Sequence, residues 1–226
     1  MKYNIQNVKI LTDTEMISIL QKSAKLYSEY VDTTLLFIFR EKKQDDYDFY
    51  EVTFGKNNFM HLAGIKSKTM NAAEFYDACV KGLIIREDCS PRRDAKTMYS
   101  KIAIMEQLLD LRHSKCYKIG SKDFITRDND FEMATGNLTG VIGYDSRVTI
   151  AGTNRIDKSK PSVPTTLLAN AITSYCSKPQ KIMFILQKNI GENTYNKLFY
   201  EIKKGLFETE KELFSDYLRI VIGCAA

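Results

Sequence analysis

The sequence predicts an α+β fold, a mainly antiparallel sheet packed against several helices. Three observations lead there. Residues 33–40, ending in LLFIFR, and residues 48–54, DFYEVTF, are strand-like and separated only by the polar EKKQDDY, the pattern of a hairpin. Helical periodicity gathers at 12–30 and between 71 and 111, while the strand-like segments that follow lie together. Parallel βαβ units would alternate strand and helix more regularly.

The elements follow in order. Residues 12–30 open with TDTE, a capping box in which Thr12 accepts from the first turn and Glu15 reaches back. Ile19, Leu20, Ala24 and Tyr27 then recur at helical spacing. Residues 33–40 suit a buried strand, and 48–54 alternate before Gly55. NAAEFYDACVKG (71–82) reads as a short helix, capped by Asn71 with Glu74 and closed by Gly82. SPRRDAKTMYSKIAIMEQLLDL (90–111) reads as a longer one. Ser90 is its expected cap, Pro91 its first helical residue, and Tyr99, Ile102, Met105, Leu108 and Leu109 its apolar face.

Residues 116–130 give little signal beyond a short strand in irregular chain. TGVIGYDSRVTIAG (139–152) reads as a strand or a hairpin around Asp145–Ser146, and TNRIDKSKPSVP (153–164) as a basic loop. KIMFILQK (181–188) is a continuous apolar run, suited to a central strand buried on both faces. Residues 195–222 are expected to be helical, with Leu198, Phe199, Ile202, Leu206, Leu213, Phe214, Tyr217 and Val221 on one side and Gly205 bending or splitting the helix.

The bulk properties exclude several classes. A chain of 226 residues with 44% hydrophobic content can build a core without disulfides or metals. A net charge of +5 tolerates a polyanionic partner without requiring one. Five cysteines with no CxxC suggest free thiols in a reducing cytoplasm. Two distant histidines and no paired cysteines argue against a zinc site, so no metal and no cofactor is expected. The N-terminus lacks a signal-peptide core and no apolar run is of membrane-spanning length. Neither GxxxxGK[ST] nor GxGxxG occurs, nor do GxSxG or HExxH, and GNLTGVIG has the wrong spacing for a phosphate loop. His113, in LRHSK, sits where a helix ends and suits an interaction with its last carbonyls.

The remaining histidine, His61, lies in FMHLAGI (59–65), just after the second strand. Phe59, His61, Leu62 and Gly64, followed by Phe75, Tyr76 and Cys79 in the next helix, form an ordered pattern. Lys96 or Lys101 follows on the long helix, then IGYDSR, then VPTTLL with Thr165 and Thr166, then IMFILQK with Lys188, and Tyr195. This order resembles a family of phage- and mobile-element-encoded domains grouped with the barnase–EndoU–colicin–RelE-like nucleases, the fourth phage subgroup. The family more often has serine where Thr165 or Thr166 stands, and the segment from Arg147 to Pro161 departs from its pattern. The resemblance implies a barnase/EndoU/RelE-like core over 48–200 within a single domain, 1–226. An extra N-terminal helix and a helical C-terminal extension, 201–226, flank that core. It also implies a metal-independent ribonuclease, acting as a toxin or effector in a bacterial host cytoplasm.

Metal-free RNA cleavage uses the ribose 2′-oxygen as nucleophile and leaves a 2′,3′-cyclic phosphate. It needs a base, an acid and positive charge at the phosphorane. His61 suits proton transfer. Lys101 and Lys188 supply charge, and Thr166 can donate to a phosphate oxygen. Arg147, Arg155, Thr165 and Tyr195 are candidate substrate-binding residues, and Lys188, Tyr195 or solvent would take the second proton-transfer role. Each has a plainer reading: a histidine bonded to nearby backbone, a solvated lysine, a turn threonine, a solvated loop. The alternative function is a non-catalytic phage module on the same fold that docks on a host factor or grips a nucleotide-like ligand. The expected partners are RNA, a host or immunity protein, or a second copy through the last helix, and not a membrane.

Overall fold

The computed structural model describes residues 10–40, 47–113, 118–120, 131–145 and 161–223. The chain opens with helix α1 (Asp13–Tyr27). Thr12 Oγ1 accepts from the Glu15 amide at 3.2 Å, and the Glu15 carboxylate accepts from the Thr12 amide at 2.9 Å, so the capping box forms as the sequence specifies. Strands β1 (Thr33–Arg40) and β2 (Tyr47–Phe54) pair as an antiparallel hairpin with Leu36 opposite Glu51. Helix α2 (Lys56–Leu62), the two-residue strand β3 (Ile65–Lys66), helix α3 (Ala72–Lys81), strand β4 (Ser90–Pro91) and helix α4 (Ala95–Leu109) follow. The second half holds strands β5 (Lys118–Gly120), β6 (Met133–Gly136), β7 (Val141–Asp145), β8 (Val163–Leu168), β9 (Gln180–Asn189) and β10 (Lys197–Glu201). Short helices α5 (Leu206–Glu210) and α6 (Asp216–Val221) end it.

Strands β1, β2 and β5 to β10 form one antiparallel sheet in the order β2-β1-β9-β5-β6-β7-β8, with β10 also on β9. The sheet curls until its ends meet. The Ser162 amide donates to the Glu51 carbonyl at 3.0 Å, and the Thr53 amide donates to the Ser162 carbonyl at 2.8 Å. These bonds occupy backbone groups that two open sheet edges would leave exposed.

Side-chain alternation divides the core in two. Leu35, Phe37 and Phe39 of β1 meet Tyr27 of α1, Phe59 of α2, Phe75 of α3 and Met105 of α4. Leu36 and Ile38 point the other way and pack with Phe184 and Leu186 of β9 and with Phe207, Phe214 and Leu218 of the C-terminal segment. Strand β9 serves both cores, with Ile182 and Ile185 in one and Phe184 and Leu186 in the other, which is why its sequence is an unbroken apolar run.

Two expectations need correction. The long helix starts at Ala95, because Asp94 is its cap, with Oδ1 accepting from the Thr97 amide at 2.8 Å. Ser90 and Pro91 instead lie opposite Lys66 and Ile65 in the β3–β4 pair. The segment 195–222 is not one helix. Among the described residues, β5 meets β9 only at its start, 180–181, and residues 197–201 supply backbone partners along 184–187, where that edge would otherwise be open. The single continuous helical face expected over 195–222 therefore does not form. Phe199, Phe214 and Leu218 are buried, whereas Leu213 and Tyr217 are exposed, Tyr217 stacking on Phe49.

Candidate functional site

The site is built on α2 and the chain that leaves it. Asn58 fixes α2 at both sides, its side-chain oxygen accepting from the Gly55 amide at 3.0 Å and its side-chain nitrogen donating to the Pro164 carbonyl at 3.3 Å. Phe59 and Leu62 are fully buried, which leaves His61 on the half-exposed flank. His61 thus sits on a helix rather than at the strand end.

Gly64 has φ +70°, a left-handed conformation that a side chain would strain. A Cβ there would also lie 3.0 Å from Lys101 Cδ, so the absent side chain makes room for the lysine stem. Beyond Gly64 the β3–β4 pair brings residues 90–92 back alongside, and the Arg92 amide donates to the Gly64 carbonyl at 2.9 Å. The Arg92 side chain then reaches His61, with Nη1 2.5 Å from Nδ1. A guanidinium only donates, so Nδ1 is the acceptor and the ring is the neutral tautomer carrying its proton on Nε2.

Helix α4 supplies Lys101 from the flank beside its buried residues Met98, Ile102 and Met105. Lys101 Nζ donates to Thr166 Oγ1 of β8 at 3.3 Å. Burial lowers the Lys101 ammonium from its usual range to about 8, and repulsion from Arg93 and Arg92 adds to the effect. Thr165 faces elsewhere, its hydroxyl bonded to the Gly143 carbonyl at 3.2 Å in a buried setting, where it holds the β7–β8 irregularity.

The arginines of this cluster differ in their pairing from Arg86, Arg112 and Arg219. Arg86, Arg112, Arg219, Lys56 and Lys211 each face a carboxylate. Among the described residues, Arg92, Arg93 and Lys101 have no carboxylate partner. Arg92 meets an imidazole, Lys101 a hydroxyl, and Arg93 is exposed.

Lys188 and Tyr195 form a different cluster. Lys188 Nζ lies 3.6 Å from a Glu51 carboxylate oxygen and 4.5 Å from the Tyr195 ring centre, and the Tyr195 hydroxyl donates to the same oxygen at 2.8 Å. Burial, and then the Glu51 charge, push the Tyr195 hydroxyl far up, so it stays protonated. Glu51 is opposite Leu36, and Lys188 is two residues beyond Leu186, so both project to the face covered by Phe207 and Phe214. Helices α2 and α4 cover the other face. The structure therefore unites His61, Lys101 and Thr166 and places Lys188 and Tyr195 across the sheet. Arg147 and Arg155 lie outside the described residues, as does the side chain of His113.

Arg92 and Arg93 were missed in the sequence. The only signal was a pair of arginines ahead of a helix, and the site they join lies 31 residues earlier at His61.

A family model described as phage-Barnase-EndoU-ColicinE5/D-RelE like nuclease 4 matches residues 19–204, and the chain belongs to that family. The match begins within α1 and ends just after β10, so it takes in much of the N-terminal helix and leaves out α5 and α6. No curated protein and no solved structure matches the chain.

Proposed function

We propose that this member of the phage-Barnase-EndoU-ColicinE5/D-RelE like nuclease 4 family is an endoribonuclease that cleaves by attack of the ribose 2′-oxygen. One observation carries the reading: Arg92, Arg93 and Lys101 gather beside His61, and none of them is ion-paired with a carboxylate among the described residues. Such a cluster suits an anion, and a phosphodiester fits the two exposed guanidinium groups.

In this reading the arginines hold the non-bridging oxygens, and the Thr166 hydroxyl donates to one of them. His61 takes the 2′-hydroxyl proton as the 2′-oxygen bonds to phosphorus. The bond to the 5′-oxygen breaks, and that oxygen takes a proton from the Lys101 ammonium. The products are a 2′,3′-cyclic phosphate and a 5′-hydroxyl, and solvent exchange returns one proton to Lys101 and removes one from His61. An ammonium titrating at about 8 is mostly protonated at neutral pH yet releases its proton readily, as a general acid requires. The nucleophile belongs to the substrate, so no group has to activate water. Cleavage of host RNA would make the protein a toxin or effector in a bacterial cytoplasm.

The test is incubation of purified protein with total RNA, with and without chelator, followed by end-group analysis. Cyclic phosphate ends that persist in chelator and vanish in His61→Ala support the reading. Cleavage that continues in His61→Ala but stops with chelator refutes it. RNA binding without cleavage would make the protein a non-catalytic binding module.

A further inference from the structure

We infer that Arg92, besides binding the substrate phosphate, caps the base nitrogen of His61 at rest, and that the substrate's own phosphate removes the cap. The inference rests on the ribonuclease reading and adds a control step to it. In the resting geometry Nδ1 of His61 accepts from the Arg92 guanidinium at 2.5 Å, and Nε2 carries the ring proton. Neither nitrogen then offers a lone pair to a 2′-hydroxyl. His61 becomes a base when Nδ1 is uncovered.

A phosphate supplies the means. Arg92 has no carboxylate partner among the described residues, so its guanidinium is held on the imidazole by a single bond to a neutral acceptor. An anionic phosphate adds ion-pair attraction that a neutral imidazole lacks, and it accepts two parallel bonds from one guanidinium. Arg93, exposed beside it, can bind the same group. The Arg92 backbone is tied to Gly64 by the hydrogen bond from its amide to the Gly64 carbonyl, so the exchange is a swing of the side chain about a fixed anchor. The phosphodiester that fills the arginines is also the one whose neighbouring 2′-hydroxyl needs the base. The base is thus uncovered where its substrate is already bound.

The test does not depend on turnover. Histidine, arginine and lysine are labelled with 15N in the full chain at a pH where both histidine rings are neutral. There are two histidines, and His61→Gln assigns the resonances. The probes are inorganic phosphate and a 2′-deoxy dinucleotide, which binds like RNA but lacks the nucleophile. In the wild type, Nδ1 of His61 should start at the position of a hydrogen-bonded acceptor and move toward that of a free lone pair as either probe saturates. Arg92→Met should begin at the free position and stay there. Arg92→Lys, which keeps the cation, should give the same uncapped resonance and covers the case in which Arg92→Met does not fold. Identical Nδ1 positions in wild type and both variants would overturn the inference, as would a wild-type Nδ1 that stays still while the probe shifts Arg93 and Lys101. Failure of both probes to perturb Arg92, Arg93 or Lys101 at millimolar concentration would overturn it too. Absence of RNA cleavage would leave these resonances unaffected and would count against the ribonuclease reading alone.

Discussion

Lys101 Nζ donates to Thr166 Oγ1 across 3.3 Å, joining a helix to the last strand of a curled sheet, and no carboxylate among the described residues shares the lysine. Its ammonium is held at about 8, below the ordinary lysine value of 10.5. Between those values the unfolded chain binds more protons than the folded one, so this group makes stability rise with pH there, and its cost is fully present below about 8. Replacing Lys101 with Met should therefore stabilise the protein near pH 7, by on the order of 1 kcal/mol, while abolishing cleavage. Wild-type cleavage should fall as pH rises through about 8, as the acid is lost. Thermal melts and a pH–rate profile check both. A Lys101→Met variant that melts lower than wild type would mean that the ammonium is stabilised where it sits.

His61→Ala should lose about 100-fold or more in cleavage rate, the scale of one general acid–base group. The side chain is half-exposed and leaves no large cavity, so the melting temperature should stay within a few degrees. A large fall in melting temperature would assign His61 a structural task instead.

Gly64→Ala should act on fold and site together. A side chain at φ +70° costs about 1–2 kcal/mol, and its Cβ would stand 3.0 Å from Lys101 Cδ. Cleavage should fall further than stability alone explains, because the lysine stem has to move. Rates measured well below the melting temperature separate the two effects.

Lys188→Met should weaken the fold more than the chemistry. It strips the ammonium from a half-buried Glu51 that also accepts from Tyr195, leaving that carboxylate undercompensated at a cost of about 1–3 kcal/mol. The cleavage rate should change only a few-fold, since Lys188 projects to the face away from α2 and α4. A loss on the scale of His61→Ala would place Lys188 in the reaction after all.

Phe214→Asp should be severely destabilising, because the ring packs edge-on against Tyr47 and Phe184 in the second core. Leu198→Asp should be tolerated, since Leu198 is 39% exposed on β10. Circular dichroism melts of the two variants give the comparison.

Much of the fold is legible in local chemistry. Thr12 with Glu15, and Asn71 with Glu74 and Gly82, cap their helices through bonds made within a few residues, so the sequence determines those boundaries by itself. The apolar run of β9 and the β1–β2 hairpin are likewise local patterns, and the order of elements sufficed to expose the family resemblance. Tertiary structure decided what depends on partners distant in the chain. Residues 197–201 carry a helix-compatible apolar pattern, yet the backbone edge that short β5 leaves on β9 draws them into a strand. Ser90–Pro91 reads as a helix start, yet pairing with Ile65 and Lys66 claims it and Asp94 takes the cap. His61, Lys101 and Thr166 were visible as candidates, but so were Lys188 and Tyr195. Residue type and order cannot divide the two groups, because the division depends on which face of a strand each side chain leaves and what covers that face. Arg92 joins the site because a two-residue strand pair carries its guanidinium to an imidazole 31 positions away, a contact set by the path of the chain in space.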